Sequence, residues 1–156
     1  MTSSSVTGTA AGSTPGRTTD NAAENSLDVV DAAYRAFHAH DPEALLATLD
    51  PGIEWVHPAG MSRYGLGGTK LGHAGVREFL ARVPRVLGGM RLRPQEFVYS
   101  GDRVVVFGTR DVTSLDGRTE TFDFVHSWTL RAGRAVRMAD IFDTAEFVRL
   151  IENTGG

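Results

Sequence analysis

His126-Ser127-Trp128-Thr129-Leu130-Arg131-Ala132-Gly133-Arg134-Ala135-Val136-Arg137-Met138-Ala139-Asp140-Ile141-Phe142-Asp143-Thr144 is the stretch whose reading decides the fold of this chain. It reads as a strand, a tight turn, a second strand and the start of a terminal helix that runs to about Glu152. Arg131-Ala132-Gly133 suits a three-residue loop, a type I turn with glycine in the left-handed bulge position. That turn pairs Leu130 with Arg134, Trp128 with Val136, His126 with Met138 and Phe124 with Asp140.

Upstream, Asp116-Gly117 is the signal of a two-residue type I′ hairpin. It pairs Leu115 with Arg118, Asp111 with Phe122, Thr109 with Phe124, Phe107 with His126 and Val105 with Trp128. Alternation along each strand then gathers one face: Val105, Phe107, Thr109 and Asp111; Phe122, Phe124, His126 and Trp128; Val136, Met138 and Asp140. Asp111, His126 and Asp140 are its ionisable exceptions. Arg110 falls on the opposite face, across from Asp123, as an exposed cross-strand ion pair.

The segments before this meander read as helices. In residues 26–40, Leu27, Val30, Tyr34 and Phe37 recur at helical spacing. Asp41-Pro42-Glu43 has the form of a capped start, with Leu45, Leu46 and Leu49 as the apolar stripe behind it. A short strand follows at Ile53–His57, stopped by Pro58. Residues 59–72 are glycine-rich and irregular, and a third helix spans about His73 to Val83. Strands are expected over 90–100, 102–113, 118–131 and 134–142. Helices first and an antiparallel meander after them make an α+β fold.

The chain has 156 residues, room for one domain, placed at 26–156. Residues 1–25 are rich in Ser, Thr, Gly and Ala and read as a disordered tail without a signal peptide, on a cytoplasmic protein. Sixteen Lys and Arg against 19 Asp and Glu give a net charge of −3, which argues against a nucleic-acid partner. No apolar run approaches the roughly 20 residues a spanning helix needs. With no cysteine, disulfides, thiolate metal sites and thiol catalysis are excluded.

The order of elements, with Trp55-Val56-His57-Pro58 early and the quoted stretch ending in Asp140-Ile141-Phe142-Asp143-Thr144 late, resembles the nuclear transport factor 2-like superfamily. The match covers about residues 26–152, and the late segment is most similar to the SnoaL-like polyketide cyclases. The group also includes limonene epoxide hydrolase and ketosteroid isomerase. The resemblance implies a cone: a curved, mostly antiparallel sheet packed on N-terminal helices around a hydrophobic pocket. It also implies a homodimer through the outer sheet face. By position, Asp140 falls at the base of limonene epoxide hydrolase and Asp111 at its second acid. Trp55 and His57 fall at its water-holding Tyr and Asn. Thr109 falls where its bridging Arg belongs, a departure that argues against epoxide hydrolysis by that set.

The candidate catalytic residues are therefore Asp140, His126, Asp111 and His57. Burial is expected to raise the Asp140 pKa toward a general base, with His126 beside it as a proton-handling partner. The substrate wall is expected from Trp55, Tyr64, Phe107, Thr109, Phe122, Phe124, Trp128, Met138 and Phe142. Met61 joins Tyr64 as a lid contact. His57, His73 and His126 sit on separate elements without ligand spacing, so no metal is expected. Gly65-Leu66-Gly67-Gly68-Thr69-Lys70 lacks the spacing and the preceding strand of a phosphate loop. The reading is a cofactor-independent cyclase that closes a ring in a hydrophobic polyketide-type intermediate. Its alternatives are an epoxide hydrolase, an isomerase, or a non-catalytic small-molecule binder.

Overall fold

The structure, a computed structural model, describes residues 5–8 and 17–152. Among the described residues, four helices, α1 (Arg17–His38), α2 (Pro42–Ala47), α3 (Gly72–Val86) and α4 (Thr144–Glu152), pack on a sheet. Its seven strands are β1 (Ser5–Gly8), β2 (Leu49–His57), β3 (Gly68–Leu71), β4 (Gly89–Ser100), β5 (Arg103–Thr113), β6 (Thr119–Arg131) and β7 (Arg134–Ile141). The spatial order is β1-β4-β5-β6-β7-β2-β3. The long meander β4–β7 is antiparallel, β2 joins β7 in parallel, and β3 closes the far edge antiparallel to β2. This is the expected α+β cone, a curved and unclosed sheet under its helices.

Local chemistry accounts for most boundaries. Asp41 caps α2 by accepting from the Ala44 amide, with Pro42 at the first helical position. Asp143 accepts from the amides of Ala145 and Glu146 and so starts α4. α3 continues three residues past Val83, through Pro84. Residues 59–72 are more ordered than their glycines suggest, forming a 3₁₀ turn over Ala59–Tyr64 and then β3.

The expected tail, residues 1–25, lies partly outside the described residues. Ser5–Gly8 forms an edge strand parallel to β4, and α1 begins at Arg17 rather than near residue 26. An edge strand uses backbone hydrogen bonds and needs no apolar side chains. The composition argument, which counts buried apolar surface, therefore does not detect it.

Hairpin register is where sequence and structure differ most. The loop between β5 and β6 is five residues, Ser114–Arg118, because Thr113 pairs with Thr119. Ser114 takes part in it: its amide donates to the Arg118 carbonyl and its hydroxyl accepts from the Arg118 amide. A shift of one residue turns every side chain of β5 over. Val104, Val106, Gly108, Arg110 and Val112 therefore face the core. Phe107 is 43% exposed, Thr109 pairs with Asp123, and Asp111 is held outside by Arg93 and Thr121.

The turn between β6 and β7 is two residues, Ala132 and Gly133, both with positive φ (52° and 78°), as a type I′ turn requires. A bulge after Leu130–Ala135 then sets Val136 outside the pairing, and His126 stands opposite Asp140. The net slip from the expected register is two residues, so His126, Met138 and Asp140 keep the inward face.

Sheet curvature depends on Gly108. A second bulge lies opposite it, between Pro94 and Glu96. A Cβ at Gly108 meets the Arg93 carbonyl oxygen at 2.4 Å and the Phe124 ring at 2.8 Å. Neither neighbour is a free side-chain end. Gly108→Ala is expected to cost about 3 kcal/mol in urea unfolding; a cost below about 0.5 kcal/mol contradicts this packing.

Candidate active site

Four adjacent strands, β5, β6, β7 and β2, bring the polar residues together. On the β6–β7–β2 surface His126 pairs with Asp140, while Trp55 pairs with Met138 one step before His57. The Asp140 carboxylate is thus flanked by an imidazole on each side. His126 Nε2 is 3.2 Å from Oδ1 and His57 Nε2 is 3.4 Å from Oδ2. From β5, Arg110 donates to both oxygens, Nη1 to Oδ2 at 2.9 Å and Nη2 to Oδ1 at 2.5 Å. Both side chains of this pair are at most 3% exposed. The guanidinium also sits between two rings, 4.9 Å from the centroid of Phe124 and 4.8 Å from that of Phe142.

The hydrogen-bond pattern fixes the proton on His126. Trp128 Nε1 can only donate, and it does so to the Tyr34 oxygen at 3.1 Å. The Asp140 carboxylate beside Nε2 can only accept, which places the ring proton on Nε2, so the Tyr34 hydroxyl, 2.7 Å from His126 Nδ1, donates to that nitrogen. His126 is left with its proton on Nε2, directed at Asp140. Burial holds His126 neutral by lowering its pKa, against the pull of Asp140. Burial likewise raises Tyr34 far above the ordinary phenol range.

Asp140 differs from expectation. Burial alone pushes its carboxyl up, but the His126 and Arg110 contacts outweigh that, and it lies well below the ordinary carboxylate range. It is a firmly ionised anchor and not a carboxyl tuned to accept a proton. His57 is lowered to about 4, chiefly by burial and against the attraction of Asp140.

These groups form the polar end of an apolar cavity of about 70 Å³, lined by Tyr34, Trp55, His57, Met61, Phe79, Arg110, His126, Trp128, Met138, Asp140 and Phe142 among others. Among the described residues, three buried side-chain nitrogens lack a hydrogen-bond partner: Trp55 Nε1, His57 Nδ1 and Arg110 Nε. All three belong to residues of this wall. A second cavity of about 340 Å³ adjoins the first and shares Phe37, Leu45, Val83, Leu87 and Met90 with it.

Of the expected residues, Asp140, His126, His57, Trp55, Trp128, Met138 and Phe142 reach the cavity. Asp111, Thr109 and Phe107 do not, for the register reason given above. Tyr64 faces away from the cavity, its hydroxyl donating to Glu152. Phe122 packs on Phe147, and Phe124 lies under His126 and Arg110, as core rather than as cavity wall. His73 is elsewhere, with Nε2 2.9 Å from the Leu49 carbonyl oxygen. The Arg placed by resemblance at Thr109 is therefore present one residue later, as Arg110, and it is the second acid that the cavity lacks. Sequence reasoning missed Arg110, Tyr34 and Phe79. The available signal for Arg110 was an Arg alternating with Val104, Val106 and Val112.

Removing one member of a buried ion pair strands the other charge. Arg110→Met and Asp140→Leu are each expected to cost about 3–5 kcal/mol in urea unfolding. The double variant should be far less damaged than the sum, with a coupling on the order of 3 kcal/mol. Additive losses contradict a desolvated pair.

The family model for the SnoaL-like domain matches residues 30–138. No curated protein matches the chain. TerC, in a crystal structure with polyporic acid, is 62% identical, with a TM-score of 0.81 over 82% of this chain and 98% of that one. An NTF2-like protein of unknown function from Burkholderia pseudomallei is 52% identical, with a TM-score of 0.81 over 82% and 98%. A putative polyketide cyclase from Xanthomonas campestris, 20% identical with a TM-score of 0.70 over 84% and 99%, shares the fold. The chain belongs to the SnoaL-like domain family of the nuclear transport factor 2-like superfamily.

Proposed function

We propose that this chain is a cofactor-independent enzyme that moves protons on a hydrophobic, oxygen-rich ring compound. The observation that carries the reading is the polar end of the cavity. Trp55 Nε1, Arg110 Nε and His57 Nδ1 are unpartnered on residues that line the cavity with the ionised Asp140, in a wall otherwise mainly of aromatic and aliphatic side chains. Such a wall binds a flat apolar body, and the few convergent polar atoms orient its oxygens. Two N–H donors favour negative charge developing on a ligand oxygen.

Polyporic acid, the molecule crystallised with TerC, gives the substrate class its chemistry. It is a dihydroxybenzoquinone carrying two phenyl groups, with carbonyl and acidic hydroxyl oxygens on a flat ring. Ring closure in a polyketide-type intermediate uses the same elements. An enolate oxygen is held by the donors, a proton is relayed by an imidazole, and the aromatic walls fold the chain. Proton transfer from a positioned group is worth about 10²–10⁴-fold. Epoxide hydrolysis is disfavoured, because Asp111 lies outside and leaves Asp140 without a second carboxylate to share a water.

A ligand of this size, on the order of 300 Å³ or more, exceeds the inner cavity of about 70 Å³. It fits when the half-buried Phe37 and Met90 swing aside and join that cavity to the 340 Å³ one. Titration with polyporic acid, followed by the quinone's visible absorbance, is expected to saturate at one per chain. Val83→Trp, which fills the shared mouth, should weaken binding at least tenfold. Chromatography of the incubated ligand then separates the two classes of role. A new product supports the enzyme, an unchanged ligand supports sequestration, and no saturable binding contradicts the proposed ligand class.

A further inference from the structure

We propose that His57, through Nδ1, is the group that carries a proton to and from the bound ligand, and that Asp140 acts on it only as a positioning residue. The inference rests on the reading that the cavity takes an acidic hydroxyquinone-like compound. It follows from asking which atom on the wall can still accept a proton.

Asp140 has both oxygens engaged by Arg110 and both flanks engaged by imidazoles. A proton placed there breaks the guanidinium pairing and strands the buried Arg110 charge. His126 has both nitrogens occupied, by Tyr34 and by Asp140, and the Tyr34 oxygen is occupied by Trp128. Of the three unpartnered nitrogens, those of Trp55 and Arg110 carry hydrogens and only donate. His57 is different. Its Nε2 faces the Asp140 carboxylate at 3.4 Å, which favours the proton on Nε2 and leaves a lone pair on Nδ1. Its ring is held in place by stacking on Phe79 at 4.2 Å between centroids, with Trp55 at 5.9 Å.

The charge balance leads to the same residue. Before a ligand binds, Arg110 and Asp140 cancel, and burial keeps His57 and His126 neutral. The charged and titratable groups facing His57 are Asp140 from β7, His126 from β6, Arg110 from β5 and Lys70 from β3, while α3 presents the apolar Phe79. Each hydroxyl of a hydroxyquinone is a vinylogous carboxylic acid, so a dihydroxyquinone enters at neutral pH with a negative charge at each end. The charge at the polar end of the cavity is matched when His57 Nδ1 binds one proton from solvent. The imidazolium then lies between Asp140 and the ligand anion, while Trp55 and Arg110 donate to the ligand oxygen. In turnover the Nδ1–H bond breaks and its electron pair returns to the ring. The proton goes to a carbon or oxygen of the ligand, and a proton leaving another ligand atom restores Nδ1. No redox partner is involved.

Calorimetric titration with polyporic acid at pH 7, in buffers of different ionisation enthalpy, counts the protons taken up. About one per bound ligand is expected, with affinity tightening about tenfold for each pH unit lowered between pH 7 and 5 while the ligand stays ionised. His57→Gln keeps an N–H toward Asp140 but has nothing at Nδ1. It should bind more weakly, take up no proton and lose the pH slope. His57→Asn, which keeps only an amide near the Nδ1 position, should do the same and serves if the first variant is unstable. Saturable binding with no uptake by the wild type, or uptake that survives in either variant, overturns the role of His57 and leaves the ligand class standing. Absence of saturable binding overturns the ligand class, and this proposal with it.

Discussion

The Arg110–Asp140 pair is the constraint on which the rest of the site depends. Two opposite charges, on β5 and β7 and reaching across β6, are almost entirely removed from water. Such a pair is tolerable only when good geometry and further contacts offset its desolvation. The surroundings supply most of them and leave Arg110 Nε without a partner. The rings of Phe124 and Phe142 pack against the guanidinium, and His126 and His57 flank the carboxylate. Because the carboxylate stays ionised, each imidazole turns an N–H toward it. The Trp128–Tyr34–His126 chain then has a single consistent direction of donation. By the same logic His57 Nδ1, without a partner among the described residues, is left to act as the base we propose.

The fold serves this arrangement through curvature. Bulges in β4 and β7, and the missing side chain at Gly108, let the sheet wrap under α1 and α3. The inward positions of β5, β6, β7 and β2 thereby converge instead of lying on a flat plane. The apolar residues on those positions make the cavity wall, and the four ionisable ones collect at one end. No helix among the described residues is long and apolar enough to cross a membrane.

Much of the architecture was legible because hydrophobic periodicity, capping residues and turn signals act locally. The Asp41 cap, the terminal helix at Thr144–Glu152 and the four long strands lie where the sequence put them. Loop chemistry was less legible. Asp116-Gly117 carries a strong two-residue turn signal, yet Ser114 closes a wider loop with its own hydrogen bonds, and that single residue turned Asp111 outward and Arg110 inward. At Ala132-Gly133 the turn was shorter than expected, and the Val136 bulge added a second slip of the same sense. The two together preserved the face of His126 and Asp140. A correct placement of Asp140 thus came from a register that was wrong by an even number. The raised pKa expected for Asp140 was overturned by the inward Arg110, since an isolated buried carboxyl and one clamped by an arginine shift in opposite directions.

The most direct measurement of this account is the protonation state of the two buried imidazoles in the ligand-free protein, read from ¹⁵N chemical shifts and long-range ¹H–¹⁵N couplings at pH 7. Both rings, His57 and His126, are expected to be neutral, with hydrogen on Nε2 and a bare Nδ1. A doubly protonated ring at either position, or a proton on His57 Nδ1, would contradict an ionised Asp140 as the organiser of the site.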